Sequence, residues 1–208
     1  MSVGVAIIFG GDAVVASDGL RREAKPSVAL SYKHNKTFPL GDHVIAVNVH
    51  LLEIGGQTIG QILRAALLPS SHASLEEMVK DAATVLEKLL GQHGHRDEDV
   101  HLIFAGRNDL AESGQLEIRG LELAWRDGVA TPTFSNFSSN PHLVTIGDGH
   151  ARAAIEAEWK RNTIRSSTPL ASLAESLIRV GCLAASDIPD IAPPTKCCGG
   201  GPYKRILR

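Results

Sequence analysis

Residues 3–9, Val-Gly-Val-Ala-Ile-Ile-Phe, form an alternating apolar run that stops at Gly10-Gly11-Asp12, and a second run, residues 13–17, ends in Asp18-Gly19. Two β-rich segments joined by a Gly-Asp turn predict an antiparallel hairpin with its first strand starting at once and no leader before it. Residues 43–47, Val100 to Ala105, 115–125, 129–134 and 142–146 carry further strand patterns, with Asp127-Gly128 as a turn between two of them.

Helical spacing takes over elsewhere. Leu51, Leu52, Ile54, Ile59, Ile62, Leu63, Ala66 and Leu67 fit one helical face, predicting a helix over 51–67 despite Gly55, Gly56 and Gly60. Ser74 followed by Glu77 has the form of a capping box, and Met78, Val79, Ala82, Val85, Leu86 and Leu89 make one stripe of a helix running to about Leu90. Helices are also expected at 150–161 and 170–185, with a closing strand at 203–207. The order of strands, two helices, strands, two helices and a strand predicts an α+β fold in which two sheets lie between helical layers, a four-layer αββα sandwich. The first helix pair is expected to cover the sheet that holds the opening hairpin.

Composition narrows the class without changing that picture. A chain of 208 residues and 22.1 kDa fits one domain, residues 1–208, with a substantial core. Apolar residues at 43% and charged residues at 21% are ordinary for a globular protein. A formal net charge of -2 gives no long-range attraction to nucleic acid or anionic membrane, so neither is expected as partner. No apolar run of spanning length and no signal-peptide pattern is present, and the 3 cysteines make no even disulfide framework, so a cytoplasmic setting is expected.

Chemistry enters at Ser2. Loss of Met1, which a small second residue permits, frees an α-amine on the residue that carries the hydroxyl. Such an amine titrates near pH 8 and takes the hydroxyl proton at neutral pH, so nucleophile and base sit in one residue.

The pattern Ser2, apolar strand, Gly-Gly-Asp turn, Val14-Val15-Ala16-Ser17-Asp18-Gly19 resembles the opening of proteasome β-type subunits and their bacterial relatives, members of the N-terminal nucleophile hydrolases. Lys36-Thr37-Phe38-Pro39-Leu40 resembles the family's lysine-bearing strand, and Gly147-Asp148-Gly149 its turn before a late helix. The resemblance spans the chain, with its specific motifs in the first 50 residues or so. It implies Ser2 as nucleophile, Asp18 and Lys36 as a pair that activates it, the Val47 N–H as oxyanion donor, and Asp148 at the position of a serine that orients the terminal amine. It also implies a peptide or unfolded-protein substrate, a homo-oligomeric ring with a regulatory ATPase as a possible partner, and no cofactor.

Three departures from the family pattern stand out: Val47 for a glycine, Asp148 for a serine, and Cys197-Cys198-Gly199-Gly200 for a Ser-Gly-Gly segment with an upstream acid. They leave open a non-catalytic member of the fold that assembles through its helical faces, and an amidase acting on a small molecule. Each residue also has a plainer reading: Asp18 as a strand-end turn residue, Lys36 as a solvated lysine, and His34, two positions from Lys36, as an exposed or packed histidine. Vicinal Cys197-Cys198 with distant His93 and His95 lacks zinc-ligand spacing, so no metal is expected. Gly199-Gly200-Gly201 lacks the strand, lysine and helix of a phosphate loop. Trp125 and Trp159 are read as core or interface fillers.

Overall fold

The computed structural model describes residues 2–19, 21–22, 29–31, 34–93, 99–110, 114–137, 142–162, 168–186 and 203–207. The opening hairpin forms as its pattern requires: β1 (Val3–Phe9) pairs antiparallel with β2 (Asp12–Ser17), Gly4 facing Ser17 and Phe9 facing Asp12. Two short strands, β3 (Arg21–Arg22) and β4 (Ala29–Ser31), follow. Next come β5 (Thr37–Pro39) and β6 (Val44–His50), then the tiny pair β7 (Glu53–Ile54) and β8 (Gln57–Thr58). Helices α1 (Ile59–Leu67) and α2 (Leu75–His93) precede β9 (Asp99–Arg107), β10 (Leu116–Arg126), β11 (Val129–Phe137) and β12 (His142–Gly147). Helices α3 (Gly149–Asn162) and α4 (Leu170–Ser186) and the strand β13 (Tyr203–Leu207) complete the order.

The strands form two main sheets, one ordered β12-β1-β2-β13 and the other β11-β10-β9-β6-β5. Every contact between neighbours for which a register is defined is antiparallel, so no doubly wound parallel sheet is present among the described residues.

Alternation along β1 decides what lies on each side of it. Val3, Val5 and Ile7 pack with Ala151, Ile155, Leu173, Ala174, Leu177 and Ile178 from α3 and α4. Ala6 and Ile8 turn the other way, into a cluster with Ile45, Val47, Val49, Ile103 and Ala105 of the second sheet. A third cluster places α1 and α2 on the outer face of that second sheet, with Leu63, Leu67, Leu75, Leu86 and Leu90 against Phe38, Ala46, Leu102 and Phe104. The helix pair α1 and α2 therefore covers the sheet of β6 and β9, and α3 and α4 cover the hairpin sheet, the reverse of the sequence expectation. Apolar spacing shows that a helix has a buried face and says nothing of which sheet that face meets.

A second correction concerns residues 51–67. Only Ile59–Leu67 is helical; the preceding residues form the β7–β8 turn, in which Gly55 and Gly56 take φ of +58° and +79°. That left-handed pair is cheap for glycine and breaks a helix. Thr58 then starts α1 with a reciprocal cap: its hydroxyl accepts from the Gln61 N–H, and the Gln61 side chain accepts from the Thr58 N–H. At α2 the Ser74 hydroxyl accepts from the Glu77 N–H, and the Glu77 carboxylate reaches back to Ala73 N, so the box closes one residue earlier than its usual form.

Candidate active site

Ser2 sits where β1 begins, and its surroundings come from four separate segments. Asp18, the residue after β2, brackets Val3: its N–H donates to the Val3 carbonyl at 3.2 Å, and its Oδ1 accepts from the Val3 N–H at 3.0 Å. The hairpin register thus carries the Asp18 carboxylate to the first residue pair of the chain. Lys36 reaches the same place from the other sheet. Its Nζ donates to Asp18 Oδ1 at 2.7 Å and to Ser2 Oγ at 2.8 Å.

Burial rules out the plain readings of these residues. Lys36 is 1% exposed, Asp18 0% and Ser2 5%. Removing a lysine and an aspartate from water costs several kcal/mol per ion, and only close pairing with further hydrogen bonds repays it. A solvated lysine and a turn aspartate are therefore both excluded, and the ammonium presents a positive charge to the Ser2 hydroxyl.

The carbonyl of Ser2 is held as firmly as its side chain. Asp148 N–H donates to Ser2 O at 2.9 Å, and Gly147, with φ of +104°, lies so close that a Cβ there would overlap that oxygen. Gly147 is thus required both by backbone conformation and by contact. Asp148 belongs to the site through its main chain, while its Oδ1 accepts the His150 and Ala151 N–H groups at 3.0 Å each and caps α3. The sequence marked the Gly147-Asp148-Gly149 turn without giving Gly147 a role.

Val47 does not point its N–H at Ser2. Along β6 the even-numbered N–H groups face β5, as the Asn48 N–H shows by donating to Lys36 O at 3.1 Å; the odd-numbered ones face β9, in step with Leu51 N to Asp99 O and Arg107 N to His43 O. The Val47 N–H is spent on the Ile103 pairing, and its side chain packs inward, close to Gly4. The error was one of register, since a slip of one residue in a strand reverses every N–H. The next N–H on the β5 side belongs to His50, at the end of β6, where the facing segment has turned away and His34 N–H donates to Gly19 O at 2.9 Å.

His50 is distinctive for other reasons. It takes a φ of +69°, and its ring meets that of His101 edge-on at 4.4 Å. Its pKa is lowered to about 4, by burial of the ring first, then by His101, then by the chain's terminal amine, with a smaller push from Lys36.

A cavity of about 220 Å³ opens on the face of β5 and β6 that carries Lys36 and Asn48. His34, Asn48, Thr58, Arg64 and Arg205 contribute its polar wall and Phe38 and Leu52 its apolar one. Lys36, not His34, supplies the charge at Ser2, and His34 lines the cavity instead. Arg64 and Arg205 were not singled out by the sequence, because α1 and β13 meet β5 only in the fold.

His93 packs over Gly55 at the end of α2, and Trp125 and Trp159 lie in or against apolar clusters. His95, Cys197, Cys198 and the Gly199 to Gly201 run lie outside the described residues. Among the described residues no helix is long and apolar enough to cross a membrane.

No protein-family model and no curated protein matches the chain. Solved structures do. HslV from Trypanosoma brucei shares 15% identity over 99% of both chains at a TM-score of 0.57. BPH from Thiobacillus denitrificans, in complex with epoxomicin, shares 16% over 99% of this chain and 98% of that one at 0.61. A second structure of BPH from Thiobacillus denitrificans matches at 17% identity over 99% of this chain and 97% of that one, also at 0.61. At these identities the likeness is one of fold, and it covers both chains nearly end to end. The chain thus shares the fold of HslV and BPH.

Proposed function

We propose that this chain is a four-layer αββα N-terminal nucleophile hydrolase that cleaves amide bonds of peptides or unfolded protein with Ser2. The observation that carries this reading is the Lys36 ammonium, buried between Asp18 Oδ1 and Ser2 Oγ at 2.7 and 2.8 Å. Few structural roles justify burying a lysine against a serine at the start of a strand, and activation of that serine is one.

Chemistry follows from removal of Met1. The freed Ser2 amine accepts the Oγ proton as Oγ attacks the carbonyl carbon, and Lys36 stabilises the negative charge on Oγ. Charge then moves to the carbonyl oxygen, for which the N–H of His50, on the β5 side of β6 past the end of the β5 pairing, is the backbone candidate. Collapse of the intermediate breaks the C–N bond, and the leaving amine takes the proton back from the Ser2 ammonium. Water, deprotonated by the same amine, hydrolyses the ester and restores Ser2.

Assembly into a homo-oligomeric ring that encloses the sites, in a cytoplasmic setting and with a regulatory ATPase as a possible partner, belongs to the same proposal. It is supported by the fold shared with HslV and BPH. Light scattering that returned a mass near 22 kDa at micromolar protein would overturn the ring.

The non-catalytic alternative drew one support from Val47, whose N–H faces β9 and not Ser2. Epoxomicin, bound by BPH, is the direct probe. Protein whose intact mass shows loss of Met1 is incubated with it, and the N-terminal peptide is analysed by mass spectrometry. An adduct on Ser2, absent from Ser2→Ala, is expected; Met1-free protein that forms no adduct and hydrolyses no peptide would refute the reading.

A further inference from the structure

The cavity beside Lys36 has a charge that the reaction at Ser2 does not explain. Arg64 stands one helical turn after Gly60 on the same face of α1, and both line the cavity. Its guanidinium makes no hydrogen bond or ion pair among the described residues. Arg205 enters from β13, the far edge of the other sheet, and its Nε donates to Thr37 O at 3.4 Å, one of five donors a guanidinium carries.

The first turn of α1, Thr58 to Gly60, also faces the space and contains no acidic residue, so the positive end of its dipole is uncompensated. Among the described residues that line it, none is Asp or Glu. Two guanidiniums and a helix N-terminus that share one recess repel one another unless an anion joins them.

We infer that this cavity receives an acidic side chain of the substrate, held by Arg64 and Arg205 and seated next to the bond that Ser2 attacks. The size fits one side chain: about 220 Å³ lies below the roughly 300–1,000 Å³ of pockets that enclose whole small ligands. Phe38 and Leu52 cover the methylene part of a glutamate, while the arginines take its carboxylate, the geometry for which guanidinium is suited. Asn48 ties the cavity to the reaction, because it lies directly opposite Lys36 in the sheet and shares its face. The inference rests on the proposed role of Ser2 for where the acidic residue sits, not for whether the cavity takes it.

Binding and turnover separate the two. Full-length Ser2→Ala protein is titrated with acetyl-Ala-Ala-Glu-amide and acetyl-Ala-Ala-Gln-amide, which differ only in the charge of one side chain. The Glu peptide is expected to bind at least ~10-fold more tightly at low salt, with the margin shrinking as salt screens it. Arg64→Gln and, on a separate element, Arg205→Gln should each bring the two peptides within ~3-fold while circular dichroism stays unchanged.

Equal binding of the two peptides, or binding of neither, overturns the pocket, as does an undiminished preference in both arginine variants. In wild-type protein, fluorogenic peptides ending in Glu, Gln or Leu before the reporter are then compared by kcat/KM. Turnover without Glu preference removes the specificity and leaves the hydrolase. Glu-selective binding with neither turnover nor an epoxomicin adduct keeps the pocket and removes the hydrolase.

Discussion

Lys36 and Asp18 form an ion pair at 2.7 Å in which neither side chain has any exposure to solvent, and they come from opposite sheets of the molecule. Replacing Lys36 by Ala removes the ammonium that lies 2.7 Å from a fully buried Asp18 carboxylate. The expected loss of stability is ~3–5 kcal/mol, measured by urea unfolding. The double variant Lys36→Met with Asp18→Asn should recover most of that loss, since an amide still accepts from the Val3 N–H. It should recover none of the reactivity of Ser2 with epoxomicin. Recovery of both would mean that the pair serves the fold alone.

Gly147→Ala is expected to be among the most damaging substitutions in the chain. It adds the strain of a φ of +104° to an overlap with the Ser2 carbonyl oxygen, and a loss at or above ~4 kcal/mol is expected. Gly149→Ala, two residues on, has open space around its added carbon and lies at the start of α3. There the change should be neutral or stabilising by up to ~1 kcal/mol. Thermal unfolding of the two variants side by side checks the contrast.

His50 makes stability depend on pH in one direction. Its pKa falls from the ordinary 6.5 to about 4, because burial of the ring and then the neighbouring His101 disfavour the charged form. Between those values the unfolded chain binds a proton that the folded one refuses, so stability falls as pH drops from about 6.5 to about 4. The slope should be gentle, since the residue as a whole is exposed. His50→Asn, which tolerates the left-handed backbone, should flatten it; an identical slope in that variant would assign the effect elsewhere.

Ser17 is fully buried in β2, and its Oγ has no hydrogen-bond partner among the described residues. Burying an unpaired hydroxyl costs free energy that alanine avoids. Ser17→Ala should therefore raise the unfolding midpoint, by the equivalent of about 1 kcal/mol. A fall of that size would reveal a partner for the hydroxyl.

Local pattern carried much of this molecule. The hairpin needs only alternation and a Gly-Gly turn, and Ser2, Asp18 and Lys36 are found where strand ends and spacing put them. Failures arose wherever the outcome depended on a relation between segments. Val47 was misread because the direction of an N–H follows from register with β5 and β9, which a single strand does not encode. Apolar spacing runs on through residues 51–58 as it would in a helix, while the turn there is signalled only by Gly55-Gly56. Arg64 and Arg205 meet across 141 positions of sequence, a separation over which no motif operates.

Ser2 is 5% exposed, and its carbonyl and hydroxyl are both anchored in the finished fold. On the proposed mechanism, the bond that must be cut to free the amine adjoins a residue that the finished fold holds out of solvent. For a nucleophile that depends on a freed amine, trimming and folding become competitors in time. On that mechanism, trimming on the emerging chain arms the site before the sheets close over Ser2. On that mechanism the share of active molecules is set by a race during synthesis, and slower removal of the first residue lowers it.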